Sequence, residues 1–316
     1  STYHRFVVAT TNPLGHSKSS TWDPVCGVKM SATDANGQTV NTQYDALCRP
    51  VRTDLPGGAF ELRSYNAFGD PNGQNVEVQT PAMDGSGGAV WSRQYQDGLG
   101  RTYRAVRQGT AAGLDVITDT VFNARGNVEK NTLPYFQMEA PVWISQRYDQ
   151  QDRVVEVTNP DGTTKRKTYG LGWVISTDEL GHTTQVFMNA RGQMVRHREW
   201  LSGVAQDINY EFDLRGNVVK VTDPAGNAMT FGIDSLDRKL WLNDPDAGFR
   251  TYEYDLAGRN IAQTDAKGQR TTATYDAIGR ALSKTTADGK VVTYRYDEAR
   301  TGYSNVGKLT TMVDGS

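Results

Sequence analysis

Residues 252–280 read YEYDLAGRNIAQTDAKGQRTTATYDAIGR and state one motif twice. Tyr254, Asp255, Gly258 and Arg259 return 21 residues later as Tyr275, Asp276, Gly279 and Arg280. Between them lies a second turn signal, Asp265-Ala266-Lys267-Gly268. An aspartate opening such a turn accepts the backbone N–H two residues on, and glycine takes the left-handed conformation that other residues resist. Each unit is therefore predicted to be two antiparallel strands joined by a short hairpin loop with a glycine bulge. The Tyr-Asp-x-x-Gly-Arg turn would link one hairpin to the next, so that the sheet grows without a break.

The period extends along the chain. The aromatic slot recurs at Trp22, Tyr44, Tyr65, Tyr95, Phe122, Tyr148, Tyr169, Phe187, Phe212, Tyr254, Tyr275 and Tyr296, with Ile233 in the same place. From Phe212 to Tyr296 the step is 21 residues four times running. The intervening stretches, such as NVVKVT (217–222) and RVVEVT (153–158), are short and β-branched, which favours strands. No window carries a capped 3.6-residue period, so almost no helix is expected. The expected fold is all-β: about thirteen antiparallel hairpin repeats forming one long curled sheet about 120 Å along its growth direction. Residues 1–316 read as a single array. Asp70–Trp91, Asn131–Trp143 and His197–Asp207 read as loop excursions from it. Because the chain opens inside a hairpin and closes at the start of another turn, the array is expected to be a piece of a longer one.

The motif Tyr-Asp-x-x-Gly-Arg followed by Asp-x-x-Gly resembles the RHS/YD-repeat family, most closely the repeat shell of bacterial toxin-complex B subunits and related polymorphic toxins. The resemblance implies a sheet spiralling into a hollow shell around a C-terminal toxin polypeptide, in a secreted bacterial protein. It also implies docking onto an injection or pore-forming subunit. On that reading this chain is a non-enzymatic wall segment. Its repeat motif is carried by Tyr44, Asp45, Tyr148, Asp149, Phe212, Asp213, Gly216, Tyr254, Asp255, Gly258, Arg259, Tyr275, Asp276, Gly279, Arg280, Tyr296 and Asp297. A cell-surface adhesion or carbohydrate-binding array is the alternative. Family members carry a self-cleaving Asp-Pro-x-Gly plug, but Asp223-Pro224 here sits mid-array as an ordinary turn, and cleavage is not expected of it.

Composition narrows the remaining chemistry. Thirty-four basic and 36 acidic residues are interspersed and leave a net charge of −2, which is no footprint for nucleic acid. No apolar run is long enough to span a membrane as a helix. Asp255 and Asp276 recur once per repeat, whereas a catalytic dyad is a unique pair. Asp244 and Asp246 lack the further ligands of a calcium loop and read as an Asx turn. His16 and His182 share the slot after a turn glycine, so no metal or cofactor site is expected. Gly98, Gly100, Gly170 and Gly172 read as turn glycines. The motif aromatics read as a ladder of stacked rings, with Arg259 and Arg280 pairing acids of neighbouring turns. Trp91, Trp143, Trp173, Trp200 and Trp241 read as packing residues. Cys26 and Cys48, each four residues after a motif aromatic, would lie two strands apart at about 9–10 Å and are expected to be free thiols.

Overall fold

The computed structural model describes residues 6–82, 88–111 and 113–315. The described residues contain 28 β-strands, and the sole helical element among them is the 3-10 turn Pro56–Gly58. The chain forms two compact units. One comprises Ser1–Thr11 with Ser17–Arg166, and the other Asn12–His16 with Lys167–Ser316.

Within each unit, a strand pairs antiparallel with its neighbour in sequence. In the first unit the ladder starts with Ala9–Thr11 on Ser17–Trp22 and reaches Val154–Thr158 on Thr164–Gly170. One exception is the short strand Tyr135–Phe136, which folds back onto Val116 and Ile117. In the second unit it starts with Trp173–Thr177 on Thr183–Met188 and reaches Val291–Tyr296 on Leu309–Asp314. Antiparallel pairing of consecutive strands puts alternate turns at opposite edges. The motif turns therefore line one edge of each unit and the Asp-x-x-Gly turns the other.

The ladder slips by one residue at almost every motif aromatic. Glu253 faces Ala262, but Tyr254 faces Asn260; Thr274 faces Ser283, but Tyr275 faces Ala281. The same slip falls at Tyr44, Tyr148, Phe212 and Tyr296. Such bulges bend a strand and raise its local twist.

A single layer leaves little fully covered. Among the described residues only Ile117, Ala262 and Thr132 are buried, and the Thr132 hydroxyl accepts the N–H of Asp119 at 2.8 Å. The accessible surface is 20515 Å². A globular chain of this mass exposes about 13,000 Å², and two separate globules of half the mass about 16,000 Å². The excess is that of sheet covered by its neighbours in the sheet and by little else. Tryptophan fills gaps locally. Trp241 lies over Gly232 and Trp173 over Gly170, where an added Cβ would come within 1.9 Å and 2.0 Å of the indoles.

Three expectations are corrected. Cys26 and Cys48 form a disulfide, with Cα atoms 5.6 Å apart. The spacing argument took both to lie on strand-like positions, but both sit in motif turns, and the two turns differ in length. The first runs from Asp23 N–H to Val28 O, whereas the second runs from Asp45 N–H to Arg49 O, one residue shorter. Cys48 itself takes the left-handed position (φ 61°), while Gly27 takes it in the first turn. The extra residue shifts Cys26 out of equivalence. Successive turns on one edge also lean against each other more closely than strand spacing implies. The second correction concerns His197–Asp207, which is not a loop: Met194–Leu201 and Val204–Phe212 pair there as a lengthened hairpin. Likewise Asn75–Pro81 and Ala89–Gln96 pair through much of Asp70–Trp91, of which residues 83–87 lie outside the described ones.

Candidate functional site: the repeat turn

The turn from Asp255 to Arg259 reverses the chain with two backbone bonds. Asp255 N–H donates to Arg259 O and Gly258 N–H to Asp255 O, both at 3.0 Å. Asp255 Oδ1 accepts the N–H groups of Ala257 and Arg259 at 2.9 Å, and Oδ2 accepts Arg259 Nε at 2.6 Å. Gly258 holds φ at +81°, a region that costs a side-chain-bearing residue about 1–2 kcal/mol. Asp276 to Arg280 repeats the arrangement, as do Asp45 with Arg49 and Asp149 with Arg153. At Asp213 the arginine is replaced by Asn217, whose amide reaches Oδ2 at 3.1 Å, and Gly216 N–H joins the bonds to Oδ1. Asp244 makes the Asx turn its sequence suggests, accepting the N–H groups of Asp246 and Ala247.

Two further contacts tie several of these turns to a neighbouring one. Tyr275 O–H donates to Asn260 O at 2.7 Å, fifteen residues back. Tyr44, Tyr65 and Tyr254 take the same step onto Lys29, Pro50 and Lys239, and Trp22 Nε1 onto Val7 O. The motif guanidinium lies over the following ring: Arg49 over Tyr65 at 4.1 Å, Arg259 over Tyr275 at 5.3 Å and Arg280 over Tyr296 at 4.2 Å. In these places the slots are layered as guanidinium and ring, not ring on ring as expected. The face of an aromatic ring attracts a cation, which makes the alternation favourable. Arg259 pairs with the acid of its own turn and reaches the next through the Asp276 carbonyl. Arg280 binds both its own Asp276 and, with two nitrogens, Asp297 of the next turn.

These contacts set the electrostatics. The Arg259 N–H holds the Asp255 carboxyl below its ordinary value. For Asp276 burial pushes upward, but the backbone N–H and guanidinium of Arg280 outweigh it and the net direction is down. The Arg280 guanidinium brings Asp297 to about 2. All are carboxylates committed to turn donors. Elsewhere, Asp119 is gripped by Arg104 at 2.6 Å and receives the Tyr135 hydroxyl at 2.5 Å. Burial raises this carboxyl, yet Arg104 and Tyr135 lower it overall, so it stays ionised and paired. Among the described residues no three His, Cys, Asp or Glu side chains gather as a metal site would. His16 and His182 sit in separate turns, beside Asn12 and Asp178 respectively.

The bulges, the fifteen-residue hydroxyl step and the disulfide are the features that sequence reading missed. For the bulges alone a signal existed: the fixed aromatic-to-glycine spacing within a 21-residue period leaves one residue more on the outgoing strand than a plain ladder can pair.

Chains built from hairpins tied turn to turn form a class of β-hairpin repeat proteins. The RHS Repeat family matches residues 275–316, and a domain of unknown function, DUF6443, matches residues 70–171. No curated protein sequence matches. Among solved structures, the chain is similar to TcdB2-TccC3-TEV (TM-score 0.79, 14% identity, 97% of this chain and 22% of that one). It is similar also to TcdB2-TccC3 without its hypervariable C-terminal region (TM-score 0.80, 14% identity, 98% and 22%). A Photorhabdus luminescens Tc holotoxin pore with a substitution in TccC3 gives the same figures (TM-score 0.80, 14% identity, 98% and 22%). The chain thus spans about a fifth of the length of the chains it matches. At this identity the likeness is one of fold. The repeat match itself is confined to residues 275–316, where the Tyr-Asp turn motif also stands.

Proposed function

We propose that this chain is a wall segment of an RHS-repeat shell that encapsulates a toxin polypeptide, in a secreted bacterial protein. The observation that carries the reading is the single-layer sheet, with 20515 Å² accessible and only three buried residues among those described. A sheet whose faces are both open is unsuited to a compact core and suited to a partition, with one face towards a cargo and the other towards solvent. In this reading the chain is part of a longer shell. The remainder of that shell and the enclosed C-terminal polypeptide are its immediate partners, and an injection or pore-forming subunit its docking partner. Its role is containment, not catalysis: the turn acids are occupied by turn donors, and their repetition leaves no unique reacting pair.

The test uses the longest natural protein that contains this array. Under limited proteolysis the segment following the repeats should survive as long as the wall is intact. It should be digested in a variant whose turns are loosened by Arg259→Ala with Arg280→Ala. Equal digestion in both would reject containment.

A further inference from the structure

The first motif turn of the first unit lacks the arginine that ties later turns together. Residues 23–28 read DPVCGV against DALCR at 45–49, so that Val28 closes its turn where Arg49 closes the next. Asp45 Oδ2 receives Arg49 Nε at 2.8 Å, whereas Asp23 accepts the backbone N–H groups of Val25 and Cys26 on Oδ1. In later turns the closing guanidinium covers the ring of the following one: Arg49 over Tyr65, Arg101 over Phe122 at 4.4 Å and Arg238 over Tyr254 at 4.9 Å. Val28 brings no charge to the Tyr44 ring. The two turns are joined instead by the Cys26–Cys48 bond, beside the hydrogen bond from Tyr44 O–H to Lys29 O at 2.9 Å.

The bond also holds a residue where it would not otherwise rest. Cys48 takes φ 61° in the place that Gly258 and Gly279 fill at 81° and 87°. Where that place carries a side chain elsewhere it is Asp152 or Asp237, at 60° and 61°, and aspartate visits the left-handed region more readily than most residues. Cysteine has no such preference. One covalent link thus fixes the first turn to the second and pins the second in a strained conformation.

We propose that Cys26–Cys48 is a redox latch on this edge of the first unit: oxidised, it replaces the missing guanidinium tie, and a dithiol reductant releases it. A thiolate of the dithiol attacks one bridge sulfur and the S–S bond breaks to give a mixed disulfide. The second thiol then displaces the chain's cysteine, leaving two cysteine thiols and an oxidised dithiol. Once released, Cys48 is free to leave its left-handed position. The first turn keeps its two backbone bonds, Asp23 N–H to Val28 O and Gly27 N–H to Asp23 O, both at 2.9 Å. Guanidinium ties are indifferent to a reductant, so the opening is confined to these two turns. The latch is set in an oxidising compartment, where disulfides persist, and opens in a reducing one. It holds whether or not the sheet encloses a polypeptide.

Hydrogen exchange of the full chain with and without dithiothreitol tests it, intact mass reporting whether the bridge has opened. In the reduced chain the amides of residues 23–28 and 45–49 should exchange about tenfold faster or more. Those of residues 255–259 and 276–280 should keep their rates, which also checks that the chain stays folded. Cys26→Ser with Cys48→Gly removes the latch and the strain together, and residues 23–28 should then exchange fast whether or not dithiothreitol is present. Adding Val28→Arg supplies a guanidinium for the Tyr44 ring and should slow them again in both conditions. A bridge that dithiothreitol leaves closed in the folded chain, reduced turns that exchange at the oxidised rate, or equal acceleration of all four turns overturns the proposal. A Val28→Arg variant that stays fast overturns the equivalence of bridge and guanidinium on which it stands.

Discussion

Arg280 spans two successive repeat turns: its Nε binds Asp276 Oδ2 at 2.6 Å and its Nη2 binds Asp297 Oδ2 at 2.7 Å. All three side chains are well covered, at 17%, 9% and 22% exposure. Hydrogen bonds to charged groups in such settings are worth about 1.5–3 kcal/mol. Arg280→Ala should therefore lower stability by about that amount in urea unfolding. Arg147 makes a single 3.3 Å contact to Glu156 and is 76% exposed. Arg147→Ala should cost under about 0.5 kcal/mol. Equal losses would mean that the bridging geometry contributes nothing.

Acid titration reads the same contact. Asp297 is lowered from 3.8 to about 2, chiefly by the Arg280 guanidinium. A depressed carboxyl contributes stability that is complete above its unfolded value and is lost as pH falls through its folded value. Stability should thus decline between pH 3.8 and about 2 in part because of this residue. Asp297→Asn should be less stable near neutrality and show a shallower decline in that window. A variant with the wild-type slope would remove Asp297 from the account.

Gly232 and Trp241 form a pair that a double-mutant cycle can resolve. A Cβ at Gly232 would sit 1.9 Å from Trp241 Nε1. Gly232→Ala alone should cost about 1–3 kcal/mol through overpacking. With Trp241→Leu in the background the added cost of Gly232→Ala should shrink by at least half. Additive losses would show that the indole does not lie on that glycine.

The Cys26–Cys48 bridge closes a loop of sequence separation 22. Loop-closure entropy assigns such a link about 3 kcal/mol. Intact mass under non-reducing conditions should be two hydrogens below that of the reduced chain. Reduction, or Cys26→Ser with Cys48→Ser, should lower the unfolding midpoint of the first unit. A mass equal to that of the reduced chain would contradict the bridge.

The order of elements was legible because the 21-residue step from Phe212 to Tyr296 repeats turn chemistry as well as apolar residues. Asp265 and Gly268, Asp255 and Gly258 announce their turns by residue type, since few side chains accept neighbouring N–H groups or tolerate positive φ. What escaped was contact across the period. Nothing local in Tyr275 says that its hydroxyl will meet the Asn260 carbonyl, or that Arg259 will cover its ring. Those contacts join residues of successive turns, and Tyr65 makes both of them with no slip in its own ladder. The cysteine reading failed for a related reason: strand spacing was applied to residues in turns, and one of those turns is a residue longer than the other.

The central claim is that this sheet is a partition around an interior, and electron cryomicroscopy of the longest natural protein carrying the array tests it most directly. The account predicts a wall one sheet thick, with the Tyr-Asp turns along one edge, enclosing density that the wall sequence does not explain. A solid stack of sheets, or an open ribbon with nothing enclosed, would contradict it.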